Sequence, residues 1–96
     1  MKLFAVIRTF GAPWQPSLPL EQQADWRAHA DFMNALEREG FVVLGGPLEG
    51  TSNALLIFRA ASADEIRRRL DGDPWTKSGM LRVSSISPWT LQLGSL

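Results

Sequence analysis

The chain is 96 residues long, balances ten Lys and Arg against ten Asp and Glu, and has no cysteine. A length of that order makes one domain, here 1–96, which buries only about two-thirds of the surface its unfolded chain exposes. Balanced charge excludes the basic field that holds nucleic acid or anionic membrane, and the missing cysteine excludes disulfides, thiolate metal sites and a cysteine nucleophile.

In chain order, "MKLFAVIRTF" opens with one lysine and a short apolar run, but Arg8 interrupts it and no small-residue cleavage site follows. It predicts a strand rather than a signal peptide. No segment approaches the ~20 apolar residues of a membrane span, so a soluble cytoplasmic protein is expected. The glycine and prolines of "GAPWQPSLP" end the strand in a long loop, Gly11–Pro19. From Glu21 to Glu39, Trp26, His29, Phe32, Met33 and Leu36 recur at three- and four-residue spacings, which predicts an amphipathic helix with Gly40 as its C-terminal stop. "FVVLGGP" and "NALLIFRA" predict two strands, and the short connection "LEGTS" makes them antiparallel neighbours. Ser62 and Glu65 form a capping box for a second helix that carries Ile66 and Leu70 one turn apart and ends at Gly72. "MLRVSSISPWTLQL" predicts a last strand, bent or ended near Pro88.

The order β-α-β-β-α-β folds, with right-handed crossovers, into a four-stranded antiparallel sheet with both helices on one face: the α+β ferredoxin-like plait. "FVVL" and "ALLIF" are apolar at consecutive positions, whereas a sheet with one wet face alternates. The expected cover for the open face is a second sheet, giving a homodimeric α/β barrel.

Several residues are candidates for chemistry. His29 is the only histidine and lies on the apolar stripe of the first helix. Pro-Trp occurs three times, at Pro13-Trp14, Pro74-Trp75 and Pro88-Trp89, but only the middle copy is preceded by an acid, Asp73. Pro74 biases Asp73 toward an extended conformation, and a carboxylate beside an imidazole orients it and raises its basicity, as an acid–base pair requires. A plain Asx-type turn cap is the competing reading of Asp73. Gly45, Gly46 and Pro47 follow no phosphate-loop pattern, and their small residues permit close approach of a ligand or of a neighbouring strand. Arg8 is a charge inside an apolar strand. It either reaches an anionic ligand or snorkels to the sheet edge, and snorkelling is the expected outcome. Arg67–Arg69 are expected to be a solvated helix face, with Asp64 pairing Arg68 and Glu65 pairing Arg69 at i,i+4.

Taken together, "H-x-x-F-M-x-x-L-x-x-x-G" from His29 to Gly40, then "GGP", the helix start "S-A-D-E", "DPW" with Gly79 four residues after its tryptophan, and a closing "SPW" resemble the YCII-related (YciI-like) family over nearly the whole chain. The resemblance implies the dimeric α/β barrel and an active site that pairs the first-helix histidine with the aspartate of the Asp-Pro-aromatic turn, here His29 and Asp73. The Gly11–Pro19 loop departs from the shortest members. One branch of the family is a dehydrochlorinase acting on chlorinated hydroxyquinols.

Two functions are expected to compete. In the first, an enzyme without metal or organic cofactor moves protons on a small aromatic or carbonyl-bearing molecule, with His29 as base, Asp73 as its orienter, and Arg8, Trp14, Gly46, Pro47 and Trp75 near the substrate. In the second, a non-catalytic binding or accessory subunit uses the same pocket to hold a metabolite. Binding of RNA by the plait is disfavoured by zero net charge and the missing aromatic RNP1 pattern.

Overall fold

In a computed structural model describing residues 1–96, Lys2–Phe10 forms strand β1, and its alternating burial assigns its faces. Phe4, Val6 and Arg8 are buried on one side while Leu3, Ala5, Ile7 and Thr9 lie on the other. Helix α1 spans Trp26–Arg38, β2 Val42–Pro47, β3 Asn53–Ala60, α2 Ala63–Leu70, α3 Pro74–Ser78 and β4 Leu81–Trp89. The four strands form one antiparallel sheet in the order β2-β3-β1-β4. This is the ferredoxin-like plait, with a third short helix inserted before its last strand.

The core follows from the register. Phe4 faces Phe58 and Val6 faces Leu56 across β1 and β3, and Leu36 of α1 with Ile66 and Leu70 of α2 close over them. A register shift beside Arg8 opposes Ile7 to Ser85 but Arg8 to Val83, leaving Ser84 as the extra residue of a bulge. The bulge lets Val83 and Ile86, an odd and an even position, pack on the same core. On the opposite face, Leu3, Ala5, Ile7, Leu55 and Ile57 align across β1 and β3. Leu44 and Trp89 flank them, 48% and 39% exposed, and the helix residues of the core, Leu36, Ile66 and Leu70, all pack on the other face.

Three sequence expectations need correction. First, α1 begins at Trp26, not Glu21; a single 3-10 turn, Leu20–Gln22, stands apart from it. Asp25 takes a left-handed conformation, φ 61°, which interrupts helical propagation. Meanwhile the buried Gln23 side chain clasps the preceding loop, bonding Gln15 N–H and O and Leu18 O at 2.7–3.0 Å. Second, "DPWTKSG" is a capped one-turn helix rather than a bare turn. Asp73 is its N-cap, Pro74 occupies the first turn, and Gly79 ends it at φ 79°, where glycine carries no steric penalty. Third, the arginine face does not pair as expected. Glu65 accepts from Ala61 N–H at 2.8 Å in completing the cap begun by Ser62. Arg69 instead reaches Glu39 at the end of α1 at 2.7 Å and lies 4.6 Å over the Phe41 ring, while Arg67 meets Asp64 at 3.4 Å.

Candidate active site

The helix-covered face changes character at the end of β1. The alternation that buries Phe4 and Val6 also buries Arg8, and the guanidinium is 1% exposed. It does not snorkel: α3 brings a carboxylate within reach before the side chain finds water. Arg8 donates from one terminal nitrogen to Asp73 Oδ2 at 2.9 Å and from the other to Thr76 Oγ1 at 2.7 Å.

Asp73 is wholly buried, and its capping role and its role toward His29 are compatible. Oδ1 accepts the Trp75 N–H at 3.0 Å, the local bond that starts α3. His29 Nδ1 lies 2.9 Å from both carboxylate oxygens. Burial by itself would raise the Asp73 carboxyl. The hydrogen bonds from His29 and Trp75, with the positive charge of Arg8, outweigh it and hold the group below its ordinary value. A carboxylate so held accepts only, so Nδ1 carries the proton and donates it. The imidazole's Nε2 makes no hydrogen bond, and the ring lines a cavity.

Aromatic packing fixes the ring plane. The imidazole stacks on Trp75 with centroids 3.9 Å apart and planes 9° from parallel. The Trp75 indole N–H in turn donates to Ala24 O at 2.6 Å, tying α3 to the turn before α1. Trp26 leans on both rings at 5.8–5.9 Å.

The cavity, about 550 Å³, lies between α1 and the β2 side of the sheet. Its α1 wall runs from Trp26 and His29 through Met33 to Asn34 and Glu37, some 16 Å at about 1.5 Å per residue. Arg8, Gly46, Pro47 and Trp75 also line it, as do Leu20, Phe10 and Leu81, which the sequence did not single out. The two glycines of "GGP" do different work. A Cβ on Gly45 would come within 3.0 Å of the Leu56 side chain, so that glycine serves the neighbouring strand, whereas a Cβ on Gly46 would meet nothing within 4 Å. Trp14 does not line this cavity. It stacks on Phe10 at 3.7 Å, meets Trp75 edge-on at 5.7 Å, and borders a separate hollow beside the Gly50–Ser52 turn. Thr76 was missed by sequence reasoning although it lies on the same short helix as Asp73; nothing local marks it as a partner of Arg8. No three His, Asp or Glu side chains converge as a metal ion requires, and no helix is long and apolar enough to cross a membrane.

Comparison with known proteins gives two findings. The profile of the YCII-related domain matches residues 12–90. The fold resembles that of 5-chloro-2-hydroxyhydroquinone dehydrochlorinase (TftG) from Burkholderia phenoliruptrix AC1100, solved in complex with 2,5-dihydroxybenzoquinone. That match has a TM-score of 0.64 and 23% identity, covering 96% of this chain and 95% of the other. No curated protein sequence matches the chain.

Proposed function

The chain belongs to the YCII-related domain family, and from that premise we propose that it is an enzyme performing acid–base chemistry on a small aromatic or carbonyl-bearing molecule. His29 Nε2 is the general base, Asp73 fixes its tautomer and orientation, and neither a metal nor an organic cofactor takes part. The observation that carries this reading is the 2.9 Å contact of Nδ1 with Asp73, which leaves Nε2 unpaired on a cavity wall. The aromatic and aliphatic lining from Trp26, Phe10, Trp75 and Leu56 suits a planar substrate. Dehydrochlorination, named for the structural neighbour, is a net loss of a proton and chloride and falls within what such a base performs. Gly46 and Pro47 border the substrate, and Trp14 supports it from behind through Phe10.

The test is turnover of chlorinated and hydroxylated quinols. His29→Ala and Asp73→Asn each abolish most activity, and the double variant loses little more than the worse single one, because groups acting as a unit are non-additive. Full additivity would defeat the pairing. Asn34 and Glu37, exposed where the cavity meets solvent, favour a second reading, a non-catalytic small-molecule-binding subunit. That reading predicts ligand-induced thermal stabilisation without turnover of any bound quinol.

The apolar open face of the sheet supports a homodimer, two sheets packed face to face into an α/β barrel. Sedimentation at micromolar concentration is expected to show a dimer that Ile7→Glu dissociates, since a charge buried without a partner is costly; a wild-type monomer would sink the proposal.

A further inference from the structure

Arg8 is the one buried charge that the acid–base reading above does not itself require. Its guanidinium is 1% exposed, bonded to Asp73 Oδ2 at 2.9 Å and Thr76 Oγ1 at 2.7 Å, and its Nε–H has no partner. An unpaired buried donor costs stability, and a buried ion pair rarely recovers its desolvation. Stability therefore does not account for a charge at this point of an otherwise apolar strand face.

We propose that Arg8, steadied by Thr76, is a positioning residue that keeps His29 in its neutral form with the proton on Nδ1. The inference rests on His29 being the base. The charge count supports it: Arg8 and Asp73 cancel, so a neutral imidazole leaves the trio uncharged, whereas an imidazolium leaves one uncompensated positive charge among three buried side chains. Without Arg8, the carboxylate's whole charge would instead serve the imidazolium. Thr76 holds the second terminal nitrogen, so the first stays on Oδ2 and the carboxylate cannot turn away from the ring. Other charges around His29 are set back from this contact. Glu37 lies two turns along α1 on the same cavity; Arg27 and Asp31 pair with each other at 3.6 Å in solvent; and Glu21, Asp25, Lys77 and Arg82 on the flanking segments are exposed and screened.

His29 is the only histidine, so one imidazole signal in ¹⁵N-histidine-labelled protein reports its tautomer and titration midpoint directly, with no substrate needed. Wild type is expected to show the Nδ1–H tautomer. Arg8→Gln should raise the midpoint by about one pH unit, about tenfold in proton affinity; Arg8→Lys, which keeps the charge, should restore it; and Thr76→Val should raise it by less. An unmoved midpoint in folded Arg8→Gln, or an Arg8→Lys shift as large as that of Gln, would overturn the proposal. Should Arg8→Gln not fold, Thr76→Val decides: an upward shift supports the proposal and an unchanged midpoint defeats it. The catalytic reading fails separately, if His29→Ala retains turnover.

Discussion

The two ends of the helix-covered sheet face are built from the same strands to opposite rules. At one end Phe4, Val6, Phe58, Ile66 and Leu70 pack with no polar side chain among them. At the other, Arg8, His29 and Asp73 are buried in mutual contact within a collar of Phe10, Trp14, Trp26 and Trp75. Two residues along β1 separate Val6 from Arg8, and on α1 two turns separate His29 from Leu36. The apolar end contributes stability through area removed from water. The polar end costs desolvation and retains its charges for what they do together. Such a division lets the fold tolerate a charge-bearing site because its anchorage lies elsewhere.

The largest effects should come from one substitution in each region, and they should differ in kind. Phe58→Ala is expected to cost about 3–5 kcal/mol in urea denaturation while leaving activity per folded molecule and the His29 imidazole signal unchanged. Asp73→Ala is expected to cost a similar ~3–5 kcal/mol, by stranding Arg8 without a partner, and to abolish activity beyond the loss of folded protein. Equal behaviour of the two variants would erase the distinction between core and site.

A smaller effect tests how the polar end is held. A Cβ on Gly11 would come 1.8 Å from Gly79 O, the residue that ends α3. Gly11→Ala should therefore push the Gly11–Pro19 loop away from α3, at ~1–3 kcal/mol, and disturb the Trp75–His29 stacking seen in aromatic NMR shifts. An undisturbed stack would show that the loop is not part of the site's support.

Acid should also act on one region only. Asp73 is held below its ordinary value of 3.8, so it contributes stability that is present in full above that pH and is lost as pH falls through the folded-state value. Urea midpoints measured from pH 7 to pH 3 should fall more steeply for wild type than for Asp73→Asn, whereas Phe58→Ala should run parallel to wild type. Parallel curves for Asp73→Asn would mean that the carboxylate gains nothing from its partners on folding.

The smallest effect belongs to the exposed helix face. Replacing Arg67, Arg68 and Arg69 with glutamine removes the Asp64 and Glu39 ion pairs and the cation over Phe41. Exposed contacts of this kind sum to ~1–2 kcal/mol at most, with ligand affinity unchanged. A folded triple variant with lost affinity would place an anion site where the structure shows a solvated face.

Unaided, the order of residues determined the strands, the plait and the second helix, because each is written in local terms. Burial at Phe4, Val6 and Arg8 follows the two-residue period of β1, the hairpin joins Val42–Pro47 to Asn53–Ala60 across five residues, and Ser62 with Glu65 opens α2. The pairing of His29 with Asp73 was also legible, through the lone histidine, the acid before Pro74-Trp75, and the family those residues resemble. The short helix was spelled out in full by Asp73 as cap, Pro74 in its first turn and Gly79 beyond, yet Pro and Gly read equally well as a turn, and only packing of Trp75 against Ala24 and His29 selects the helix. Only tertiary structure decided the start of α1, where Gln23 turns back to clasp the loop, and the fate of Arg8. Its partners Asp73 and Thr76 lie 65 and 68 residues away along the chain. Periodicity and spacing describe neighbours in sequence, so they placed Arg8 on a buried face but could not say which charge would meet it there.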